Sequence, residues 1–207
     1  MKTTPPLTPE EAARISRAIE AAEDTTSGEI FVVVAAHSDD YRLVPVLWAA
    51  VAALVLVWPL NLFTLLPVGQ LLLVQAAIFA LWCVALTPDA IRLRVIPPPL
   101  AAANVERAAR EQFLGHGVHL TAARTGVLIY VALAERRVEI VADDGIAKKV
   151  DQAEWDAIAQ TIVTAARNKV LADGLVDAVK TAGALLARHF PPSKDDHDEL
   201  PNRVVQL

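Results

Sequence analysis

Two adjacent aspartates, Asp143 and Asp144, follow one apolar segment and precede a glycine. Hard cations such as calcium take several oxygen ligands, and carboxylates are prominent among those ligands in proteins. Glu29 begins another apolar segment and joins the two aspartates if the two segments are strands of one sheet. The sequence therefore predicts a divalent-cation site at Asp143, Asp144 and Glu29, with calcium one candidate ion and no other cofactor. A polar turn after a strand is the alternative, since the spacing is not that of an EF-hand loop.

A metal-activated water next to a positive charge is one route to phosphate-ester hydrolysis, and Arg124 is the cation closest to this predicted site. The sequence contains no P-loop, GxGxxG, GxSxG or HExxH motif. None of its serines lies in a pattern that supplies a nucleophile with a neighbouring base. We therefore predict no catalytic residues, and weak phosphatase-type hydrolysis is the alternative function rather than the main one.

The histidines are interpreted as structural or solvated. His116 and His119 have the spacing of a metal pair on a helix, but glycines on both sides of His116 indicate a loop. His37 lies in the linker that leads into a long apolar stretch, and His197 lies in an acidic run over residues 195–199. That run is typical of a solvated tail.

Composition excludes several other classes of function. The 207 residues carry a net charge of −5 and no basic stripe, so no nucleic-acid partner is predicted. Cys83 is the only cysteine, which excludes a disulfide scaffold or a cysteine-based zinc site within one chain.

The stretch from Leu43 to Pro88 contains no charged residue. It is too long for one crossing of a bilayer, which needs about 20 apolar residues, and it fits two crossings with a tight connection. We predict a transmembrane helical hairpin over residues 43–88, with spans at Val44–Leu62 and Val68–Leu86. A buried hairpin in a soluble core is the alternative, but little other sequence is present to cover two helices that are apolar on all sides.

The charges around the hairpin predict its orientation. Arg42, Arg92 and Arg94 flank its two ends, while the connection over residues 61–70 has no Lys or Arg. The first residues lack an apolar signal segment, so we expect both termini to be cytoplasmic in a bacterial inner membrane with two spans. Uncharged spans argue against a transporter or channel. Gln70 and Gln75 are candidates for hydrogen bonds to a partner helix.

The remaining sequence predicts one α/β domain from residues 1–42 and 90–192, followed by a disordered acidic tail over residues 193–207. Predicted strands cover residues 29–35, 126–133 and 138–142, with helices before, between and after them. We expect a three-layer α/β/α sandwich with a mixed sheet, interrupted after its first strand by the transmembrane hairpin.

The topology predicts what lies at each end of the sheet. Strands one and two should be parallel, because the hairpin and a helix connect them, and strand three should return antiparallel after a short turn. Glu29 and the Asp143–Asp144 pair then share one end of the sheet. Arg136 and Arg137 fall at the other end, where we expect them to join Arg42, Arg92 and Arg94 in a basic collar over anionic lipid. Solvated turn charges are the alternative.

Three segments in this order resemble one family. They are Ser27–Ile30, Thr125–Ile129, and Glu135–Ile140 leading into Asp143–Ile146. Together, over about residues 8–190, they resemble the TPM domain, in the bacterial branch with two transmembrane helices inserted in the domain. The resemblance implies an α/β/α sandwich, and its members include calcium-binding proteins, acid phosphatases and assembly or auxiliary factors. Asp143-Asp144-Gly145 stands here in place of the family's usual glycine-rich end of strand three.

The main functional expectation is a membrane-anchored, cytoplasm-facing interaction or auxiliary module that aids assembly, repair or regulation of a membrane complex. Its predicted partners are the lipid bilayer and a membrane protein, and no oligomeric state is predicted. The alternative is a divalent-cation-binding domain with weak phosphatase-type activity.

Overall fold

The computed structural model describes residues 6–192 and 199–207. It divides into two units, one with the residues up to Ser38 and from Ala102 onwards, the other with Asp39–Ala101. The elements in chain order are α1 Pro9–Glu23, β1 Glu29–Ala35, α2 Leu43–Phe63, α3 Val68–Ala85, α4 Asp89–Arg92, α5 Pro98–Gly115, β2 Gly126–Ala132, β3 Arg137–Ala142, α6 Asp144–Ala147, α7 Gln152–Arg167, α8 Leu171–His189 and β4 Val204–Gln206.

The first unit is built on a sheet in the order β3-β2-β1-β4. Strands β1 and β2 are parallel in the register Glu29↔Gly126, and β2 and β3 are antiparallel in the register Val127↔Ala142. Both directions agree with the prediction. The connection between β1 and β2 contains α2 to α5, as the predicted insertion requires.

Continuous apolar composition places β1 and β2 in the middle of three layers. All seven residues of each strand are buried, because successive side chains point to opposite faces and helices cover both faces. Ile30, Val32 and Val34 join one core with residues of α1, α7 and α8. Phe31 and Val33 join a second core with residues of α5. The predicted α/β/α sandwich with a mixed sheet is therefore confirmed.

Helix α1 begins where the sequence predicts it. The Thr8 side chain accepts a hydrogen bond from the Glu11 backbone N–H, and the Glu11 carboxylate accepts one from the Thr8 backbone N–H at 2.8 Å. This reciprocal capping box satisfies backbone donors that a helix end otherwise leaves open. Helix α8 begins at Leu171, and α7 supplies Trp155 and Ile162 to the same core.

The second unit contains two long apolar helices. Helix α2 spans 21 residues and α3 spans 18, with the chain reversing between Thr64 and Pro67. Each helix is long and apolar enough to cross a membrane. Each end of these helices lies within one residue of the predicted span. The Trp48 indole N–H donates to the Val95 carbonyl oxygen at 2.9 Å within this unit.

The C-terminal segment departs from the predicted disordered tail where the structure describes it. Residues 204–206 form strand β4, which pairs in parallel with β1 in the register Val33↔Val205. The Leu207 backbone N–H donates to the Val34 carbonyl oxygen at 3.0 Å. This pairing satisfies backbone hydrogen-bonding groups on the open edge of β1, which explains why so short a segment forms a strand. Residues 193–198, including His197, lie outside the described residues.

Glu139 on β3 gives the α/β unit a predictable dependence on pH. Burial raises the pKa of this carboxyl, and the nearby Glu106 carboxylate raises the pKa further. A raised pKa in the folded state means that the protonated group contributes stability, which is lost as the pH rises through that pKa. Glu139→Gln mimics the protonated form, so we expect the variant to unfold at a higher urea concentration than the native protein at pH 7.

The gain from Glu139→Gln should shrink as the pH falls below the ordinary glutamate pKa of 4.5. Urea titrations at pH 7 and pH 4 measure this difference. Glu106→Gln removes one of the causes but also the ion pair with Arg110 at 2.7 Å, so its gain should be smaller. A Glu139→Gln variant that is less stable than the native protein at pH 7 would refute the assignment.

Candidate cation site at the acidic end of the sheet

Glu29 is the first residue of β1 and lies at the predicted end of the sheet. Its backbone N–H donates to the Thr125 carbonyl oxygen at 3.1 Å, and its register partner is Gly126 at the start of β2. The residue is only 7% exposed. Its Oε1 accepts a hydrogen bond from the Glu199 backbone N–H at 3.2 Å. The carboxylate is therefore held at the edge of the core rather than in open solvent.

Asp143 lies on the other side of Gly126. Its backbone N–H donates to the Gly126 carbonyl oxygen at 2.9 Å, and the residue is 5% exposed. Asp143 Oδ1 accepts from the Asp144 backbone N–H at 2.7 Å, so Asp143 forms the N-cap of α6. The second oxygen, Oδ2, is buried and receives no hydrogen bond from the described residues. Buried carboxylate oxygens usually have a partner, which for Oδ2 would be water or a bound ion.

Gly126 lets one loop lie directly on the sheet between these two carboxylates. A Cβ atom at this position would overlap the Val118 carbonyl oxygen and lie 2.8 Å from Val118 Cγ1. Val118 belongs to a 3-10 turn over Val118–Leu120 and is fully buried in the second core. The close approach requires a residue without a side chain. The loop between α5 and β2 thereby closes one face of the site.

Arg124 is the cation that the structure brings to this site. Its Nη1 lies 3.7 Å from Asp143 Oδ1, and the same nitrogen donates to the His119 carbonyl oxygen at 2.9 Å. The Arg124 side chain is more than half exposed, so this ion pair contributes little to stability. A Cβ atom at Gly145 would overlap the Arg124 carbonyl oxygen, which indicates how closely α6 packs on this loop.

Glu199 is a site residue that the sequence analysis missed. Its carboxylate accepts from the Ala122 backbone N–H at 3.0 and 3.2 Å, while its own N–H donates to Glu29. The prediction placed it in a solvated acidic run, because nothing in the local spacing relates it to the start of β1. The other acidic residues of that run, at positions 195, 196 and 198, lie outside the described residues.

The three predicted ligands share one end of the sheet but do not converge. Glu29 and Asp143 are buried on either side of Gly126, whereas the Asp144 side chain is exposed. Within residues 6–192 and 199–207, no three Asp, Glu, His or Cys side chains lie close enough together to hold a metal ion. The arrangement supplies buried oxygen atoms in a polar setting, and a bound cation would take further oxygen ligands from water or the backbone.

The two loop histidines contact aromatic rings instead of this site. The His116 ring lies 4.7 Å from the Phe31 ring, and its Nε2 is 3.1 Å from Gln112 Oε1. The His119 ring lies 6.2 Å from that of Phe113. These contacts agree with the structural interpretation of both histidines. His37 is exposed in the linker after β1.

Part of the α/β unit matches a known protein family. Residues 91–185 match the family model of the TPM domain. This segment is therefore similar to a TPM domain over a little under half of the chain. The match begins after the two apolar helices and covers α5 through most of α8, and the resemblance seen in the sequence is thus confirmed.

The chain also has a relative among solved structures. The chain is similar to the NMR structure of BA42 protein from the psychrophilic bacterium Bizionia argentinensis, with 27% identity and a TM-score of 0.61. The similarity covers 96% of this chain and 94% of that chain. No curated protein matches the sequence. The α/β fold thus agrees with that of a solved structure over nearly the whole chain.

Proposed function

We propose that this chain is a membrane-anchored, cytoplasm-facing interaction module that assists the assembly, repair or regulation of a membrane complex. The observation that supports this proposal is the exposed apolar surface of α2 and α3. In the most apolar 18 residues of α2 only 22% is buried inside the structure, and in those of α3 only 6%. Leu54 and Leu73 are 58% and 72% exposed.

An aqueous setting is unfavourable for this surface. Exposing a leucine side chain costs about 1.5–3 kcal/mol relative to burying it, and both helices present such residues on several sides. An apolar patch of this size on a soluble monomer is rare and marks contact with lipid or with another protein. The uncharged helices, which satisfy their own backbone hydrogen bonds, are suited to the hydrocarbon layer.

Membrane integration predicts a large effect of charge in the hairpin. One arginine at the centre of a span costs about 2.5–3.5 kcal/mol on insertion, so Leu54→Arg with Leu73→Arg should cost about 5–7 kcal/mol. We expect the native chain to stay with membranes after alkaline carbonate extraction and the double variant to be released. Leu120→Arg, an equally exposed leucine of the α/β unit, is the matched control and should stay with membranes. Release of the native chain would refute the anchor.

The proposed orientation is tested with two fusions to the full chain. A reporter that is active only in the cytoplasm should be active when fused after Leu207. The same reporter inserted in the reversal between Thr64 and Pro67 should be inactive. The opposite pattern would reverse the topology without affecting the proposal of a membrane anchor.

The proposed partner is a membrane protein that contacts the hairpin. Gln70 and Gln75 of α3 carry amide groups on otherwise apolar helices, and such groups hydrogen-bond between helices in lipid. Crosslinking in native membranes, followed by identification of the attached protein, tests this step. One product should recur in independent preparations and decrease with Gln70→Leu and Gln75→Leu. Recovery of the chain alone would contradict the proposal.

A second candidate function is divalent-cation binding at the acidic end, with weak phosphatase-type hydrolysis. Asp143 Oδ2, buried without a donor among the described residues, is the observation that favours it. A ligand that binds only the folded state stabilises it by about 2.7 kcal/mol at a hundred times its dissociation constant. We therefore expect millimolar calcium, magnesium or manganese to raise the unfolding temperature of the detergent-solubilised chain.

Asp143→Asn and Glu29→Gln should abolish the cation-dependent rise in unfolding temperature. Asp177→Asn, which removes an exposed carboxylate from α8, is the matched control and should keep the rise. Hydrolysis of p-nitrophenyl phosphate that depends on the same cation and on Asp143 would support the phosphatase part of this proposal. An unfolding temperature unchanged by all three cations would exclude this candidate.

A further inference from the structure

A cavity opens at the end of the sheet opposite to the acidic site. Its volume is about 360 Å³, and it lies between the β2–β3 turn and the C-terminal end of α7. Its walls combine half-buried or buried aliphatic residues with cations. The aliphatic ones are Val131, Ala132, Leu133, Val138, Val163 and Ala166, and the cations are Arg136, Arg137, Arg167 and Lys169.

The four cations form no close ion pairs in the described part of the chain, unlike several neighbouring cations. Arg107 and Arg110 pair with glutamates on α5, and Arg188 pairs with Glu154. In the described part of the chain, no carboxylate lies within ion-pair distance of the cavity's four cations. The nearby Glu135 carboxylate accepts from the Ser38 backbone N–H at 2.8 Å. Glu135 and Asp156 line an adjoining cavity together with Arg136, Arg137 and Arg167, so the cations outnumber these carboxylates but are not isolated from them. An anion bound among the cations would relieve their remaining mutual repulsion.

Two of these cations occupy backbone positions that disfavour their side chains. Arg136 has φ 55° and Lys169 has φ 62°, in the left-handed region that favours glycine and asparagine. Lys169 directly follows the C-cap residue Asn168 of α7, where glycine is the usual residue. Both positions line the same cavity. A long cation stands at each of these two positions, although glycine would fit the backbone with less strain.

We propose that this cavity binds a phosphate-bearing anion that also has an apolar portion. Arginine guanidinium groups match a phosphate with paired hydrogen bonds, and Lys169 adds a point charge. The aliphatic wall made by β2, β3 and α7 accommodates the apolar portion. This site is distinct from the acidic end, and it stands whether or not that end binds a cation.

A phospholipid headgroup and a soluble organic phosphate share this chemistry. The chain path favours the lipid: the backbone N–H groups of Leu133 and Ala134 donate to the carbonyl oxygens of Ala35 and Ala36. The chain thus leaves the α/β unit beside this turn and continues into α2. The choice of lipid rests on the proposed membrane anchor, whereas the anion site does not.

Isothermal titration of the full chain in a non-ionic detergent tests the site with three probes. They are dihexanoyl phosphatidic acid, glycerol 3-phosphate and, as a zwitterionic control, dihexanoyl phosphatidylcholine. We expect phosphatidic acid to bind and phosphatidylcholine to bind at least about tenfold more weakly, because one charge-assisted contact is worth about a factor of ten. If neither phosphate probe binds, the proposal is wrong.

Paired charge variants separate a site from general electrostatic attraction. Arg136→Gln with Arg167→Gln should weaken phosphatidic acid binding at least about tenfold. Arg107→Gln with Arg110→Gln removes the same charge from α5 and should change the affinity by less than about twofold, as expected of an exposed surface. Equal losses in the two double variants would overturn the site.

The two phosphate probes identify the source of the anion. Binding of phosphatidic acid at least about tenfold tighter than glycerol 3-phosphate supports a lipid, since the apolar wall then adds affinity. Equal affinities support a soluble phosphate ester in the same site. Release of the native chain by carbonate extraction would refute the membrane anchor. The two binding titrations would still test the anion site.

Lys169→Gly supplies a test that does not depend on damage to the fold. Glycine relieves the left-handed backbone, so the variant should unfold at a higher temperature than the native chain. It should nevertheless bind phosphatidic acid several-fold more weakly, because one cation is lost. A more stable variant with unchanged affinity would show that Lys169 serves no anion.

Discussion

Replacing Gly126 with valine is expected to destabilise the α/β unit by about 3 kcal/mol or more, at the upper end of the range for an overpacked core. The added side chain would overlap the Val118 carbonyl oxygen, and Val118 is itself fully buried. The Gly126 backbone is held in place on both sides, by pairing with β1 and by the hydrogen bond from Asp143. Urea unfolding of the purified chain, followed by tryptophan fluorescence, measures the loss, because Trp155 is buried in the core of the α/β unit.

Gly115 provides the matched control for this substitution. It is the last residue of α5, and a Cβ atom there would meet nothing within 4 Å. Gly115→Val should therefore cost less than about 1 kcal/mol, the range of an exposed helix-end substitution. Equal stability of the two variants would contradict the close approach of the Val118 segment to the sheet.

Displacement of this loop should also affect the candidate cation site. Glu29 and Asp143 flank Gly126, and the loop that carries Arg124 covers them. If a cation binds there, Gly126→Val should reduce the stabilisation by calcium, while Gly115→Val should retain it. Gly126→Val thus tests the packing around the site, whereas Asp143→Asn tests one of its ligand groups directly.

The central layer of the fold follows from local sequence. Strands β1 and β2 are runs of apolar residues too continuous for a sheet with a solvated face, and both proved to be buried along their length. Helix α1 was predictable from its capping box and its apolar spacing. The short link after β2 predicted the antiparallel return of β3. In each case the signal lies within a few residues of the element that it predicts.

Strand β4 was not predictable in the same way. It has three residues, which is too short for a periodic pattern, and its partner β1 lies near the other end of the chain. Its order depends on an edge of β1 that local sequence does not reveal. The segment follows an acidic run, and composition alone therefore favoured a disordered tail.

The candidate site was predictable in its location but not in its geometry. Topology correctly placed Glu29 and Asp143 at one end of the sheet, because the parallel strands β1 and β2 begin at the edge where the antiparallel strand β3 ends. The exposure of Asp144, the arrival of Glu199 and the contact of Val118 with Gly126 depend on how loops pack. The basic cavity shows the same limit, since α7 brings Arg167 and Lys169 to a turn about thirty residues earlier in the chain.

Ending the chain after Glu199 is expected to destabilise the α/β unit by about 3 kcal/mol or more. The truncation removes Leu200, which is buried in the second core and worth about 2 kcal/mol. It also removes the two hydrogen bonds between Leu207 and the end of β1, at 2.9 and 3.0 Å, each worth about 1 kcal/mol. The open edge of β1 should in addition promote self-association.

A pair of point variants in the full chain shows whether strand pairing causes this loss. Val205→Asp places a charge against the second core, where Val205 packs, and should cost about 2 kcal/mol or more. Arg203→Asp changes an exposed residue just before β4 and should cost less than about 0.5 kcal/mol. A disordered tail predicts instead that all three variants unfold at the urea concentration of the native chain. The comparison therefore decides between a solvated C-terminal tail and a fourth strand that completes the sheet.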